Sequence, residues 1–506
     1  MTYHYASEGV KGRYLGFSLD NAVNSTYSYD SYGRLNQING LGENFQYSYL
    51  ANSELLENLT RPNGVSTQWN YEAHRNLITQ VANGSVSTFS YVNDTLGRRT
   101  SMSRSGSVFT VPDILTYGYN DRSEVISALS NTNSAYNYHY NYDPIGNRIT
   151  ATLAGMNWNY TSNNLNQYTQ LAFGETIQEP TYDADGNMLT RSGWTQNWNG
   201  ENRLIETVKG DVKLQFSYDY MGRRIEKKVY NGEVLTKHLR FVYNGYKLSE
   251  ELDAQNENAT LRKYTWQEEV GLDVPLSVYD AEATATYFYT TDANKNVSEL
   301  TDLEGNVVAH YEYTPFGKQT TATGTYVNDN PFGFSSEYFD EETQLIYFNY
   351  RFYDFQIGHW LSKDPIEEQG GINLYAFLQN SVTFEFDVWG LVTSSDVADA
   401  LDRLDNALDT KKKADKIKDD TLKSYDAKAI AKENLDRCRI EKGYPCNNGP
   451  DPCAREVAEL QKANQEQKRQ ALKATGFGTD RVSEITTGSL RTLYTIFSKI
   501  LSYFSD

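Results

Sequence analysis

The chain has 506 residues, 40 of them Tyr and 35 Gly, and its 66 acidic side chains outnumber 47 basic ones, for a formal net charge of −19. The length allows two or three domains with a sizeable core. The negative charge lies upstream of residue 392, which argues against nucleic-acid binding by that larger region. Tyr suits a strand with one wet face, because its ring packs while its hydroxyl stays hydrated.

The first residues, MTYHYASEGV, contain no basic segment followed by an apolar run, so the sequence predicts no signal peptide. No stretch reaches about 18 consecutive apolar residues, the length that a membrane-spanning helix needs. We therefore expect no transmembrane helix. Export would depend on a partner or on a further N-terminal segment.

A short segment that begins with Tyr-Asp recurs through the first 391 residues. In such a segment the Asp hydrogen-bonds its own turn and the Gly supplies the positive-φ position of a hairpin. The following Arg or Asn begins a strand of alternating polar and apolar residues. Recurrence of one unit predicts an array in which β-hairpins stack on each other. The clearest copies are YDSYGRL at 29–35, YDPIGNR at 142–148, YDADGNM at 182–188 and YDYMGRR at 218–224.

These segments resemble the YD repeats of the Rhs family. Residues 291–320 and 330–365 resemble the Rhs core, and residues 370–380 and 387–391 resemble its closing segment. The resemblance implies a mainly β fold, in which a YD-repeat β-hairpin ribbon spirals into a hollow shell. We expect a small α-helical C-terminal domain to follow it.

The size of the predicted ribbon limits the shell that this chain can form. One hairpin per roughly twenty residues gives on the order of 38 strands, a ribbon roughly 180 Å long at about 4.8 Å per strand. A closed capsule needs several turns of such a ribbon, so we expect a partial shell that a partner shell protein or a further N-terminal Rhs segment completes. Three domains are predicted from the boundaries of the resemblance. They are the YD-repeat shell at 1–291, the Rhs core and closing segment with a self-cleavage junction at 292–391, and a variable effector-like domain at 392–506.

The boundary before residue 392 carries two aspartates, Asp364 in the sequence KDP and Asp387 in the sequence DVWGL. Two carboxyl groups held close together cannot both ionise, so the pair shares a proton. One member can then activate water while the other protonates the carbonyl of a peptide bond. An adjacent peptide has a high effective concentration, so even a weak pair can cut its own chain once.

The resemblance to the Rhs family implies self-cleavage that frees the C-terminal extension. It assigns Asp364 and Asp387 as the catalytic pair, supported by Lys363, and places the cut between Leu391 and Val392. Lys363 stands where related toxin-complex sequences often have Arg, and Asp387 is followed by Val-Trp-Gly where Pro-X-Gly is usual. The alternative is that both aspartates are ordinary turn residues.

The tail, residues 392–506, has a helical pattern. Val397, Leu401, Leu404 and Leu408 form one apolar stripe, the Pro- and Gly-rich residues 443–453 interrupt the helix, and residues 454–474 resume it. The last segment, SLRTLYTIFSKILSYFSD, is amphipathic. It either packs as part of the tail's own core or lies on a membrane surface, and we favour packing.

Cys438, Cys446 and Cys453 have no fourth Cys or His ligand nearby, so we predict no metal site, and no cofactor is expected. A disulfide between Cys446 and Cys453 after export and free thiols in a reducing compartment both fit. The tail contains no His, which removes His-dependent nucleases and hydrolases from the candidate effectors.

These observations predict an Rhs-type polymorphic toxin fragment, whose shell encloses a C-terminal effector and releases it by aspartyl self-cleavage. We expect it to be secreted or on the cell surface by a route that needs no signal peptide. Expected partners are secretion or toxin-complex machinery and a cognate immunity protein. The alternatives are a YD-repeat surface or adhesion protein without toxicity, and an orphan Rhs core with a decayed effector.

Overall fold

The structure is a computed structural model that describes residues 1–19, 22–267, 274–388 and 390–393, and residues 455, 458, 459, 462 and 463 of the tail. The chain divides into two compact units, Met1–Ser394 and Ser395–Asp506. In the second unit the five described residues are helical, and Arg455 Nε lies 3.2 Å from Glu459 Oε1. The other helices predicted for the tail, its three cysteines and its amphipathic end lie outside the described residues. Among the residues described, no helix is long and apolar enough to cross a bilayer.

The described part of the chain is mainly β, with 52% strand and 5% helix, as the sequence predicts. Short 3₁₀ helices at Ser134–Tyr136, Phe334–Ser336, Glu367–Gly370 and Phe377–Asn380 interrupt the strands. The strands of the first sheet are β1 Thr2–Tyr5, β2 Tyr14–Leu19, β3 Ala22–Tyr29, β4 Leu35–Gly40, β5 Glu43–Tyr49, β6 Leu56–Thr60, β7 Ser66–Tyr71, β8 Ile78–Asn83, β9 Ser87–Asn93, β10 Arg99–Ser105, β11 Asp113–Tyr119, β12 Val125–Ser130, β13 Tyr138–Tyr142, β14 Arg148–Leu153, β15 Met156–Ser162, β16 Tyr168–Phe173 and β17 Thr176–Gln178.

A second sheet of 13 strands and two small sheets follow. The strands of the second sheet are β18 Thr190–Arg191, β19 Trp194–Trp198, β20 Leu204–Lys209, β21 Val212–Tyr218, β22 Arg224–Asn231, β23 Val234–Asn244, β24 Lys247–Asp253, β25 Ala259–Trp266, β26 Pro275–Asp280, β27 Ala285–Thr291, β28 Val297–Thr301, β29 Val307–Tyr313 and β30 Gln319–Thr323. The small sheets contain β31 Tyr338–Asp340, β32 Leu345–Phe348, β33 Arg351–Asp354 and β34 His359–Trp360, and then β35 Asp387–Val388 and β36 Val392–Thr393.

Within each large sheet, every strand pairs antiparallel with its neighbours in the chain. The hairpin from β13 to β14 is typical, with Tyr140 opposite Ala151 and a register shift at Tyr142, where the turn begins. The same shift precedes the YD turns after β3 and β21. Each repeat therefore adds a hairpin to one continuous ribbon, because its two strands pair both with each other and with those of the next repeat.

The conserved form of the repeat follows from the hydrogen bonds of its Asp. In the turn after β13, Asp143 Oδ1 accepts hydrogen bonds from the backbone N–H groups of Ile145 and Asn147, each 2.9 Å away. Gly146 adopts a φ of 94°, which a side chain would disfavour, and its N–H donates to the Asp143 carbonyl. The carboxylate and the glycine together fix the turn, which is why this spacing recurs.

In three of the four clearest repeats, the Tyr before the Asp has a partner that the sequence does not predict. The hydroxyl of Tyr142 donates to the carbonyl of Val125 at 2.9 Å, and that of Tyr218 donates to Leu204 at 2.7 Å. Our prediction of hydrated hydroxyls is wrong at these positions, because each hydroxyl lies over the preceding hairpin. The other Tyr residues with such a bond to a carbonyl 14 to 19 residues back are Tyr29, Tyr49, Tyr71, Tyr243 and Tyr313.

The residue four positions after each turn Asp reaches the next turn. Arg34 Nη1 donates to the carbonyl of Ser53 at 2.5 Å, and Arg223 Nη1 donates to that of Gly245 at 2.6 Å. Asn147 makes the equivalent contact with Asn166, side chain to side chain, at 3.0 Å. We call this row of linked turns the turn ladder. Since it lies along the turn edge of the ribbon, it offers a regular line of polar groups to any segment that runs beside it.

Residues 361–391, which we call the closing segment, contact this ladder. The Asn380 amide donates to Glu124 Oε1 at 3.1 Å and to the carbonyl of Gly146 at 2.9 Å. The Tyr375 hydroxyl donates to the carbonyl of Gly186 at 2.8 Å. Buried aromatic residues anchor the segment from behind, with Phe377 stacked on Tyr353 at 4.1 Å between ring centroids. The closing segment is thus held in place by several repeats at once.

Candidate active site at the closing segment

The fold brings the two predicted aspartates to one place. Asp364 follows β34, and its backbone N–H donates to the carbonyl of Leu374, which fixes the turn that it begins. Asp387 is the first residue of β35, and the strand that pairs with β35 begins at Val392. The predicted cleavage site between Leu391 and Val392 therefore lies in the tight turn that Asp387 opens. We call Asp364, Asp387 and residues 390–392 the junction.

A single arginine contacts both carboxylates. Nη2 of Arg351, at the start of β33, lies 2.8 Å from Asp364 Oδ2 and 3.9 Å from Asp387 Oδ2. All three side chains are buried, with relative exposures between 3 and 5%. The two carboxylates share one guanidinium in a region shielded from water. Such a site favours the uptake of one proton.

Asp387 also holds the backbone of the predicted cleavage turn. Its Oδ1 accepts hydrogen bonds from the N–H groups of Gly390, at 2.6 Å, and Leu391, at 3.0 Å. Arg351 Nε donates to the carbonyl of Gly390 at 2.6 Å. The peptide group between Gly390 and Leu391 is therefore bound on both sides by the two residues that also form the charged pair.

The pKa of Asp387 is raised to about 7. Burial is the main cause and the negative charge of Asp364 adds to it, while Arg351 and the N–H groups of Gly390 and Leu391 oppose it. Burial lowers the pKa of Arg351, although both carboxylates favour its charged form. Burial thus favours the protonated form of Asp387 up to about pH 7, while Asp364 is the carboxyl group in direct contact with Arg351.

The carbonyl of Leu391 lies close to Asp364. Both groups approach Gly370: a β-carbon on that residue would lie 2.6 Å from Asp364 Oδ2 and 3.3 Å from the Leu391 carbonyl oxygen. The carbonyl of the peptide bond that the sequence predicts to be cut therefore shares one small space with a carboxylate. The geometry can support attack of water on that bond, because a water molecule activated by Asp364 would lie next to the carbonyl.

Lys363 is the predicted site residue that the structure places elsewhere. Its side chain packs against the turn glycine Gly186, beside the Tyr375 hydroxyl, and is half-buried. The cation on the two carboxylates is Arg351, which the sequence analysis missed. One signal was present: Arg351 is a lone cation in the otherwise aromatic sequence YFNYRFYDF. A second missed cation is the buried Lys295, whose Nζ lies 3.4 Å from the carbonyl of Asp387.

Other chemistry finds less support within the described ranges. No group of three His, Cys, Asp or Glu side chains there could hold a metal ion. A cavity of about 740 Å³ lies between β23, β25 and residues 317–356, away from the junction. Its buried cation, Lys227, is already paired with Asp340 at 2.6 Å and with Glu342 at 2.7 Å. The junction is therefore the better candidate.

Comparison with known proteins identifies the repeat. Residues 80–382 match the sequence profile of the family described as Teneurin YD-shell. The chain belongs to this family. The predicted resemblance to Rhs and YD-repeat proteins is thereby confirmed. The matched range covers most of both large sheets and extends into the closing segment, so the turn ladder described above is a feature of a YD shell.

Curated relatives are much longer proteins. The chain is 28% identical over 411 residues to the tRNA3(Ser)-specific nuclease WapA of Bacillus spizizenii, a match that covers 78% of this chain and 17% of the relative. It is 27% identical to double-stranded DNA deaminase toxin A of Burkholderia cenocepacia, over 55% of this chain and 22% of the relative. The chain thus spans about a fifth of the length of these relatives.

A similar fold occurs in a solved toxin complex. The crystal structure of TcdB2-TccC3-Cdc42 superimposes with a TM-score of 0.58 at 18% sequence identity, over 77% of this chain and 23% of the other. At that identity the likeness concerns the fold alone. It agrees with the antiparallel sheets of the first unit.

Proposed function

We propose that this chain is the YD shell and self-cleaving junction of a toxin, and that residues 392–506 are its effector. The observation that carries the proposal is the buried group of Asp364, Arg351 and Asp387 around the turn that contains Leu391 and Val392. A turn that only closed a sheet would gain nothing from two buried carboxylates and one cation, since buried charges cost stability unless they are fully paired.

The proposed reaction is hydrolysis of the peptide bond between Leu391 and Val392. Asp364 takes a proton from a water molecule, whose oxygen attacks the carbonyl carbon of Leu391, while protonated Asp387 gives its proton to the carbonyl oxygen. The tetrahedral intermediate then collapses: one hydroxyl proton returns to Asp387, the C–N bond breaks, and the nitrogen of Val392 receives the proton that Asp364 took. The products are a carboxylic acid on Leu391 and a free amine on Val392. Arg351 orients both carboxylates and holds the preceding carbonyl.

The assignment of the tail as an effector is supported by how the relatives differ. WapA of Bacillus spizizenii is named as a tRNA nuclease and the Burkholderia cenocepacia relative as a DNA deaminase, yet both match this chain. One shared region is therefore combined with different activities. We infer that the YD shell carries and protects an effector, and that the activity resides in sequence beyond the shell.

The proposed partners rest on the resemblance to the Rhs family. We propose that a partner shell protein or a further Rhs segment completes the shell, that secretion or toxin-complex machinery exports it without a signal peptide, and that an immunity protein protects the producing cell. A cell-surface or secreted location is part of this proposal. The acidic shell itself is not proposed to bind nucleic acid.

A denaturing gel of the purified full chain tests the proposal. We expect two fragments, and N-terminal sequencing of the smaller one should begin at Val392. The single variants Asp364→Asn and Asp387→Asn keep the size of each side chain and should leave the chain intact, since each removes one member of the pair. A wild-type chain that stays full length between about pH 5 and 8 would contradict self-cleavage.

A second candidate function is a non-cleaving plug of the shell. The observation that favours it is that Asp387 Oδ1 already accepts two backbone hydrogen bonds, as a structural turn residue does, and Asp364 Oδ1 accepts one from Ile366 at 3.0 Å. On this alternative the protein is a YD-repeat surface or adhesion protein, or an Rhs core with a decayed effector. An intact wild-type chain with normal melting behaviour would favour it.

A further inference from the structure

Gly370 lies at the centre of the junction although its backbone does not require glycine. It ends the 3₁₀ helix Glu367–Gly370, and it is absent from the residues with positive φ. The next residue, Gly371, differs, because its φ of 127° lies in the region that only glycine adopts readily. A reason other than backbone conformation must therefore explain the first glycine of the pair.

The space around Gly370 supplies that reason. A β-carbon there would lie 2.6 Å from Asp364 Oδ2, a distance that real β-carbons essentially never show, and 3.3 Å from the carbonyl oxygen of Leu391. Both neighbours belong to fixed groups. Asp364 is bound to Arg351 at 2.8 Å, and the backbone N–H of Leu391 is bound to Asp387 at 3.0 Å. Neither could move aside without breaking the arrangement of the site.

A specific contact keeps Gly370 in this position. Gln379 Nε2 donates to the carbonyl of Gly370 at 3.0 Å, and the same amide packs closely on Gly371. The neighbouring residue, Asn380, is bound to the turn ladder at Glu124 and Gly146. The position of Gly370 is thus set by the YD repeats through the closing segment.

We propose that Gly370 is a positioning residue for self-cleavage, and that its lack of a side chain leaves the Asp364 carboxylate and the Leu391 carbonyl facing each other with room for the attacking water. This inference rests on the proposed function, since it assigns a role within the same reaction. A methyl group at this point would push the carboxylate away from the carbonyl. Misplacement of reacting groups by about 1 Å can cost about a hundredfold in rate.

The test compares Gly370→Ala with Gly200→Ala in the full chain, made by cell-free synthesis and followed by gel over time. Gly200 is a matched control, because it too lies outside the positive-φ region and a β-carbon there would have no neighbour within 4 Å. We expect Gly370→Ala to cleave about a hundredfold more slowly than wild type and Gly200→Ala to match wild type. Melting temperatures measured in the uncleaved Asp387→Asn background show whether slower cleavage of Gly370→Ala comes with a loss of stability.

If Gly370→Ala lowers the melting temperature strongly, the variant Gln379→Asn distinguishes a positioning role of Gly370 from a loss of stability. Asn tolerates the positive φ of Gln379 but is too short to reach the Gly370 carbonyl. We expect about tenfold slower cleavage at an unchanged melting temperature. Cleavage of Gly370→Ala at the wild-type rate would overturn the inference. If Gly370→Ala is strongly destabilised, cleavage of Gln379→Asn at the wild-type rate would overturn it instead. Either result would leave the proposed self-cleavage unaffected. A wild-type chain that never cleaves would overturn the proposed function and this inference with it.

Discussion

At the scale of residues, the central feature is one arginine between two buried carboxylates. Arg351 stacks on Trp360, 4.0 Å from its ring centroid, and this contact orients the guanidinium plane toward Asp364. The two acids have different surroundings: Asp364 contacts Arg351 directly at 2.8 Å, whereas burial raises the pKa of Asp387. Environments that push the pKa values of two acids apart are the usual basis of acid and base roles.

The rate of self-cleavage should fall as pH rises through neutrality. Asp387 must hold a proton, and its pKa in the folded chain is about 7, so above that pH we expect the rate to drop by about tenfold per pH unit. Rates measured between about pH 5 and 9 check this. A rate that kept increasing above pH 8 would point to a different base.

The same pKa predicts how the stability depends on pH. The folded chain keeps the Asp387 proton between its ordinary pKa of 3.8 and about 7, and the unfolded chain loses it. The free energy of unfolding should therefore decrease as pH rises through this range, and Asp387→Asn should remove that part of the decrease. Urea titrations of Asp364→Asn and of the Asp364→Asn, Asp387→Asn double variant at several pH values, both chains being uncleaved, measure it.

Replacement of Arg351 by Lys should slow cleavage by about 10- to 100-fold, because an ammonium group cannot contact Asp364, Asp387 and the Gly390 carbonyl together. Arg191→Lys is the matched control. Arg191 is equally buried and pairs with Asp354 at the other end of the same strand. It should lose comparable stability without a change in the cleavage rate, and equal effects on cleavage would contradict the assigned role of Arg351.

At the scale of elements, the YD turn explains the composition of the chain. The turn at Asp143 uses Asp for its backbone, Gly for its positive φ, Tyr to bind the previous hairpin and Asn to bind the next turn. The hydroxyl and guanidinium contacts link hairpins that the backbone ladder already joins. Part of the abundance of Tyr therefore reflects a repeated structural bond.

The turn at Asp219 offers a graded test of this account. Asp219→Asn keeps the two backbone hydrogen bonds to Oδ1 and loses the ion pair with Arg223, so we expect it to cost less than about 1 kcal/mol. Asp219→Ala loses the two backbone hydrogen bonds as well as the ion pair, and it should lower the free energy of unfolding by about 2 kcal/mol or more. Urea unfolding of the two variants measures the difference. The chain itself supports the order, since Asn199 holds an equivalent turn with the same two bonds.

Much of the fold could be predicted from sequence because the YD turn is a local device. The spacing of Asp143 and Gly146 determines a hairpin whatever surrounds it, and the junction aspartates could be found as motifs. The role of Arg351 could not, because it depends on the approach of β33 to residues 13 and 36 positions further along. The same holds for Gly370, whose neighbours come from three turns of the closing segment.

At the scale of the whole molecule, a buried ion pair links the two large sheets. Arg104, in the first sheet, pairs with Asp113 of the same sheet at 2.5 Å and with Glu312 of the second sheet. His310 lies 3.1 Å from Glu299, and its pKa is raised to about 9, since these two glutamates outweigh the lowering effect of burial. The first unit is therefore one cooperative structure, and the junction depends on both sheets.

The proposed roles, a carrying shell and an effector tail, predict that the tail is harmful when released. Expression of residues 392–506 alone in bacteria should arrest growth, whereas the full chain with Asp364→Asn should not, because its effector stays attached to the shell. Growth curves and viable counts measure this. Normal growth with a demonstrably soluble tail would favour the decayed-effector or adhesion alternatives.

The contacts of the closing segment have a practical consequence. The bonds that hold it to the turn ladder are made by side chains such as Asn373, Tyr375 and Asn380, all of which precede Asp387. A foreign domain fused after Thr393 would leave every one of these bonds unchanged. Under the proposed function, the first 393 residues would serve as a carrier: an enzyme with an optical readout, fused after Thr393, would report its own release by self-cleavage.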